Sequence, residues 1–141
     1  MELIVSESGK GKFTQDISVG KHVLIADEPI ANGGLDLGPS PYDFLLAALG
    51  SCTAMTVRLY ADLKKIPLKK ITVRLQHEKI HAQDCADCDN PQSKIDHIQR
   101  QIELQGELTQ DQRAKLLEIA NKCPVHRTLT SKILITTTLI D

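Results

Sequence analysis

Tryptophan is absent from this sequence, and only two tyrosines and two phenylalanines occur. Aromatic platforms on which the bases of a single-stranded nucleic acid would stack are therefore not expected. Neither sign of charge is in excess, with 17 Lys and Arg against 18 Asp and Glu. That balance supplies no electrostatic footprint for a nucleic acid or an anionic membrane surface, and neither is expected as a partner. Met1-Glu2-Leu3-Ile4 shows neither the basic stretch nor the apolar run of a secretory leader, so the expected location is cytoplasmic. In that reducing compartment four cysteines are not a disulfide framework by default. They are catalytic, metal-binding or small packing residues.

A chain of 141 residues fits one compact domain, and we read residues 1–141 as a single unit. Residues 2–8, 11–19 and 21–27 read as three short strands, punctuated by Gly9, Gly11 and Gly20, and a meander fits them best. A Gly- and Pro-rich segment, 28–41, crosses to the strongest helix signal. Residues 44–57, FLLAALGSCTAMTV, carry no charge. The run is too short to span a bilayer and apolar almost all round, which marks a helix buried on every side. Ser40 and Asp43 stand where a cap and its reciprocal partner belong, Pro41 suits the first turn, and Pro67 stops the helix. One chain of this size has trouble covering such a helix, so the helix itself argues for an oligomer.

Residues 69–80 alternate as a strand with Ile71, Val73 and Leu75 on one face, and 94–105 form another with Ile98, Ile102 and Leu104 together. Thr109 and Gln112 make a capping box for a helix over 110–122, with Leu116, Leu117 and Ala120 on its apolar face. Pro124 opens a helical turn to about Thr130, and a β-branched strand over 133–140 ends the chain. The expected class is α+β, in the order β-β-β-α-β-β-α-β, with mainly antiparallel sheet and helices to one side.

Two cysteines stand out. Cys52 lies in the middle of the apolar helix, where helical spacing gives it Leu45, Ala48, Leu49, Met55 and Leu59 as face-mates. Packing alone explains many such residues. Cys123 directly precedes Pro124, so it is placed as the N-cap of the next turn, where backbone N–H groups favour a thiolate. A free thiol of pKa about 8.5 is only about 3% ionised at pH 7, and a pKa of ~6 would make it ~90% thiolate. Local physics thus nominates Cys123 as the better thiolate. Cys52 needs a cation from elsewhere, since a mid-helix position gains little from the dipole.

The segments GPSPYDFLLAALGSCTAMTVRLYA and GELTQDQRAKLLEIANKCPVHRTL, each holding one of these cysteines, resemble the OsmC/Ohr family of organic hydroperoxide resistance proteins. The resemblance spans roughly residues 38–140. It implies an intertwined homodimer with antiparallel sheets wrapped around central Cys-bearing helices. It implies thiol-dependent reduction of a small organic hydroperoxide, in which Cys52 is peroxidatic and becomes a sulfenic acid. Cys123 resolves that acid to a disulfide, and an external thiol reduces the pair. No cofactor is required by this chemistry.

The sequence departs from the family's peroxidases in its activating groups. They use an N-terminal Arg, held by a Glu at the start of the central helix. Here no Arg precedes Arg58, and the Glu position is Tyr42, with Asp43 beside it. Lys10, Lys12, Lys21, His22 or His126 could supply the positive charge. Arg58, six residues from Cys52, points off that sulfur's face. This departure motivates an alternative: a non-peroxidase OsmC-like dimer that binds a small apolar ligand in a pocket beside Met55 and Phe44. A third reading rests on His77, His81, Cys85 and Cys88, four metal-ligand side chains of zinc type in a short span. They would make a metal or thiol sensor, although Pro91 and Asp84, Asp87 and Asp89 also suit an exposed polar loop.

Overall fold

The computed structural model describes residues 1–81 and 94–140. The chain divides into two compact units, Met1–Leu45 and the remainder from Leu46.

The first unit is the expected meander. Strands β1 (Leu3–Glu7), β2 (Gln15–Val19) and β3 (His22–Ala26) pair antiparallel in that order. Leu3 lies opposite Val19, and Gln15 opposite Ala26. The β2–β3 turn passes through Gly20 at a φ of 56°, a left-handed conformation open to glycine at little cost. Thr14, Ile17, Ala26 and Asp27 are buried.

A buried carboxylate must be hydrogen-bonded to persist, and Asp27 organises the following loop for that reason. It accepts from the Thr14 hydroxyl at 2.8 Å and from the backbone N–H groups of Glu28 at 2.8 Å, Leu35 at 3.4 Å and Leu37 at 3.3 Å. A Cβ at Gly34 would collide with the Glu28 carbonyl that closes this loop. Burial pushes the Asp27 carboxyl up, and the Glu28, Thr14, Leu37 and Leu35 hydrogen bonds together outweigh it, leaving its pKa below the usual 3.8.

Helix α1 (Pro41–Leu63) begins at the capping pair read from the sequence. The Asp43 N–H donates to Ser40 Oγ at 3.3 Å and the Ser40 N–H to Asp43 Oδ2 at 2.9 Å. By length and composition alone α1 could cross a membrane, a test that core helices also pass. Within a single chain α1 is buried along one stripe. Only Leu49, Gly50, Thr53, Val57 and Ala61, at helical spacing, are buried, whereas Met55, Leu59 and Leu63 are 70%, 62% and 71% exposed. A single chain supplies one layer against which α1 packs, so its second apolar face has no cover from the described residues.

In the second unit β4 (Leu68–His81) and β5 (Lys94–Gly106) form a long antiparallel hairpin. Two helices follow, α2 (Gln110–Ala120) and α3 (Pro124–Leu129). The expected capping box is present on α2: the Gln112 N–H donates to Thr109 Oγ1 at 3.1 Å, and the Thr109 N–H to Gln112 Oε1 at 2.9 Å. The core joins Val57 and Ala61 of α1, Leu68 of β4, and Leu116, Ile119 and Ala120 of α2. Leu117, expected on that face, is exposed instead. Gly50 lets α1 approach the hairpin closely, since a Cβ there would stand 2.7 Å from Leu75 Cδ1. Arg58 fastens the end of α1, donating to the Leu68 carbonyl at 2.9 Å and to Asp62 at 3.2 Å.

The final strand expected over 133–140 is not formed within one chain. Among the described residues, 132–140 pair with no strand, and Leu134, Ile135, Leu139 and Ile140 are largely exposed. A β-branched run becomes a strand only beside an edge with which to pair.

Two stability outcomes follow. Leu116→Ala empties a fully buried core position and is expected to cost about 2–5 kcal/mol in urea unfolding. Asp27→Asn replaces an acceptor with a partial donor facing three N–H groups and is expected to destabilise the protein above pH ~4. Because the folded pKa of Asp27 is depressed, its contribution is complete above the unfolded value and is lost as pH falls through the folded one. The stability gap between parent and variant should therefore close in acid, as read by urea unfolding across pH.

Candidate functional site

Cys123 stands between α2 and α3 as the N-cap of α3, with φ −65° and ψ 141°. Pro124 at the first helical position removes one donor that would need a partner, and the His126 N–H donates to Cys123 Sγ at 3.2 Å. Cys123 is fully buried. Its sulfur meets Thr53 of α1, whose hydroxyl lies 3.7 Å away, and Cys52, the residue before Thr53, faces the groove whose other wall is Pro124 and Val125, next to Cys123 in the chain. The two cysteines singled out from the sequence are thus brought together, one from the middle of a helix and one from a helix cap. Both are free thiols.

The two sulfurs have different surroundings. Cys52 is half-buried and lines an open groove of about 440 Å³ with Ala48, Met55, Leu59, Pro124 and Val125, a largely apolar wall. Cys123 has no access to solvent but collects the hydrogen-bond donors. Burial pushes its thiol up. The His126 N–H, the Thr53 hydroxyl, the Cys52 thiol and the Arg100 charge together outweigh burial, so its pKa lies below the ordinary thiol value.

The cation of the site is Arg100 of β5, which the sequence reading did not single out. Its guanidinium donates to Thr53 Oγ1 at 2.9 Å, to Asn121 Oδ1 at 2.8 Å and to His126 Nδ1 at 3.0 Å. Among the described residues no carboxylate forms an ion pair with it. Since Arg only donates, His126 Nδ1 must be unprotonated. Burial and then the Arg100 charge lower the His126 pKa, which keeps the ring neutral at pH 7. A period-two count was the available signal: Arg100 shares the inward face of β5 with Ile98 and Ile102, a charge within an apolar row. Thr53 and Asn121 also escaped the sequence reading, because neither residue type is distinctive alone.

Of the other candidate cations, His126 meets Cys123 through its backbone N–H while its ring is neutral, and Arg58 is bound to the end of α1 and the start of β4. Lys12 lies over the Phe13 ring at 5.0 Å in the first unit. Of the proposed metal ligands, His77 hydrogen-bonds Asp96 at 2.8 Å. Cys85, Cys88 and the His81 side chain lie outside the described residues, and among the described residues no group of three metal-ligand side chains forms.

The profile of the OsmC-like protein family matches residues 33–138. No curated protein matches the sequence. Among solved structures, the chain is similar to an OsmC-like protein from Mycoplasma pneumoniae, with 17% identity and a TM-score of 0.70 over 91% of this chain and 85% of that one. It is similar to an organic hydroperoxide resistance protein from Legionella pneumophila, with 18% identity and a TM-score of 0.64 over 92% and 90% of the two chains. An organic hydroperoxide resistance protein from Elizabethkingia anophelis, with thiocyanate bound, aligns with 16% identity and a TM-score of 0.63 over 91% and 86%. At these identities the likeness establishes the fold: α+β with antiparallel sheets, in the order β-β-β-α-β-β-α before the final turn of helix. With the match of its family profile across most of the sequence, the chain belongs to the OsmC-like family.

Proposed function

We propose that the protein reduces small organic hydroperoxides through a thiol–disulfide cycle. The observation that carries this reading is the meeting of two free thiols from distant parts of the chain, one beside an apolar groove and the other buried. Cys52 attacks the distal peroxide oxygen and becomes a sulfenic acid. Cys123 then attacks that sulfur, expelling the sulfenic oxygen as water, and closes the disulfide, which an external thiol reduces by exchange. The apolar wall made by Met55, Leu59 and Val125 favours an alkyl or aryl hydroperoxide over hydrogen peroxide. The hydroperoxide-resistance proteins among its structural relatives support the same reading.

The assembly we propose is a homodimer. Met55, Leu59 and Leu63 leave one apolar face of α1 uncovered, and Leu134, Ile135, Leu139 and Ile140 present an unpaired β-branched segment. A second copy of the chain would supply both missing surfaces. A reducing cytoplasm would keep both thiols available between turnovers.

Purified protein supplied with dithiothreitol is expected to consume cumene hydroperoxide faster than hydrogen peroxide. Cys52→Ser should abolish this consumption. Cys123→Ser should allow one oxidation per site, trapped as a dimedone adduct on Cys52, without a Cys52–Cys123 disulfide. Consumption by Cys52→Ser at the parent's rate would sink the peroxidase reading. Failure of the parent to consume hydroperoxide would leave the groove as the ligand site of a non-peroxidase dimer.

A further inference from the structure

Access and charge reside on different sulfurs. The sulfur facing the groove, Cys52, is reached by a substrate but has no donor from Arg100 among its neighbours. Cys123 is sealed from solvent and receives the N–H of His126 and a contact from the Thr53 hydroxyl, with Cys52 beside it in the groove lined by Pro124 and Val125. Thr53 has one hydroxyl proton, shared between the Leu49 carbonyl at 2.7 Å and Cys123 Sγ at 3.7 Å. Arg100 occupies the acceptor side of that hydroxyl at 2.9 Å, so the proton is left to point at one of those two acceptors. A cation whose partners among the described residues are all neutral favours a negative charge nearby.

We propose that in the reduced protein Cys123 carries the negative charge and acts as the base for Cys52, taking its thiol proton as Cys52 attacks the hydroperoxide, with Arg100 as the positioning residue for the donors around Cys123. This rests on the peroxidase reading and supplies what the missing N-terminal Arg would otherwise provide.

Cys52 Sγ passes its proton to Cys123 Sγ and bonds to the distal, hydroxyl-bearing oxygen of the peroxide. The O–O bond breaks, and its electron pair leaves on the alkoxide. Cys123 returns the proton to the alkoxide, giving the alcohol, and is again a thiolate. It then attacks the Cys52 sulfenic acid and expels hydroxide, which solvent protonates. Two sulfurs together lose two electrons and the peroxide gains them.

The charged and titratable groups facing Cys123 are Cys52 from α1, Arg100 from β5 and His126 from α3, and Asp96 lines the same cleft as Arg100 and His126. The test is made in full-length protein carrying Cys85→Ser and Cys88→Ser, so that only these two thiols absorb. Thiolate absorbance at 240 nm is followed across pH. With Cys52→Ser, which keeps a hydroxyl donor, the thiolate should persist at low pH. With Cys123→Ser the transition should move to higher pH. The opposite pattern overturns the charge assignment. Arg100→Met should move the Cys52→Ser transition upward and Arg100→Lys should move it less, and an unmoved transition in Arg100→Met removes Arg100 from the proposal. In single-turnover oxidation by cumene hydroperoxide at pH 7, Cys123→Ala should form the Cys52 sulfenic acid more slowly than the parent by about 100-fold or more, the usual worth of a positioned general base. That deficit should shrink as pH rises. An unchanged rate overturns the base role. A parent that does not react with hydroperoxide overturns the peroxidase reading and the base role with it, whereas the location of the charge is still decided by the titration.

Discussion

The second unit is organised around a guanidinium that has no carboxylate partner among the described residues. Arg100 leaves β5 on its inward face and reaches α1 at Thr53, the end of α2 at Asn121, and α3 at His126. Every one of these partners is neutral. A half-buried cation of this kind is stabilised less by its hydrogen bonds than by an anion within reach. The sulfur beside Thr53 and His126 is the group that can become one. The same three contacts gather the helix ends around the sulfur pair, so electrostatics and packing share one side chain.

This arrangement separates two demands that conflict at a single sulfur. A nucleophile must be open to its substrate, while a stable thiolate gains most from buried, oriented donors. The half-buried position of Cys52 on α1 meets the first demand, and the capping position of Cys123 meets the second.

Local chemistry was the legible part of the sequence. The capping pair Ser40 and Asp43, the box of Thr109 and Gln112, and the cap made by Cys123 before Pro124 all formed as their residue types require. Each depends on residues at most three positions apart. The alternation of 69–80 and 94–105 likewise became the β4–β5 hairpin. What did not form has no surface to pack or pair with among the described residues. The apolar circumference of α1 and the β-branched segment 133–140 signal burial and pairing, but neither states against what. Arg100 was hidden for another reason. Its role depends on which strand face looks inward and on what crosses that face, and the second half of that is tertiary. The cation comes from the inward row of β5 rather than from the N-terminal part of the chain.

Gly50 gains a meaning from the strand register. Leu75, the side chain that a Cβ at position 50 would strike, lies directly across the ladder from Arg100. The bare backbone of α1 therefore rests on the rung from which the guanidinium rises, and Thr53 sits one turn farther along the same buried stripe. The clearance between helix and hairpin at that rung acts as a gauge for the span from strand to hydroxyl. A methyl group there would lengthen the gap before disturbing either sulfur, and an arginine already reaching to three helices has little slack with which to follow.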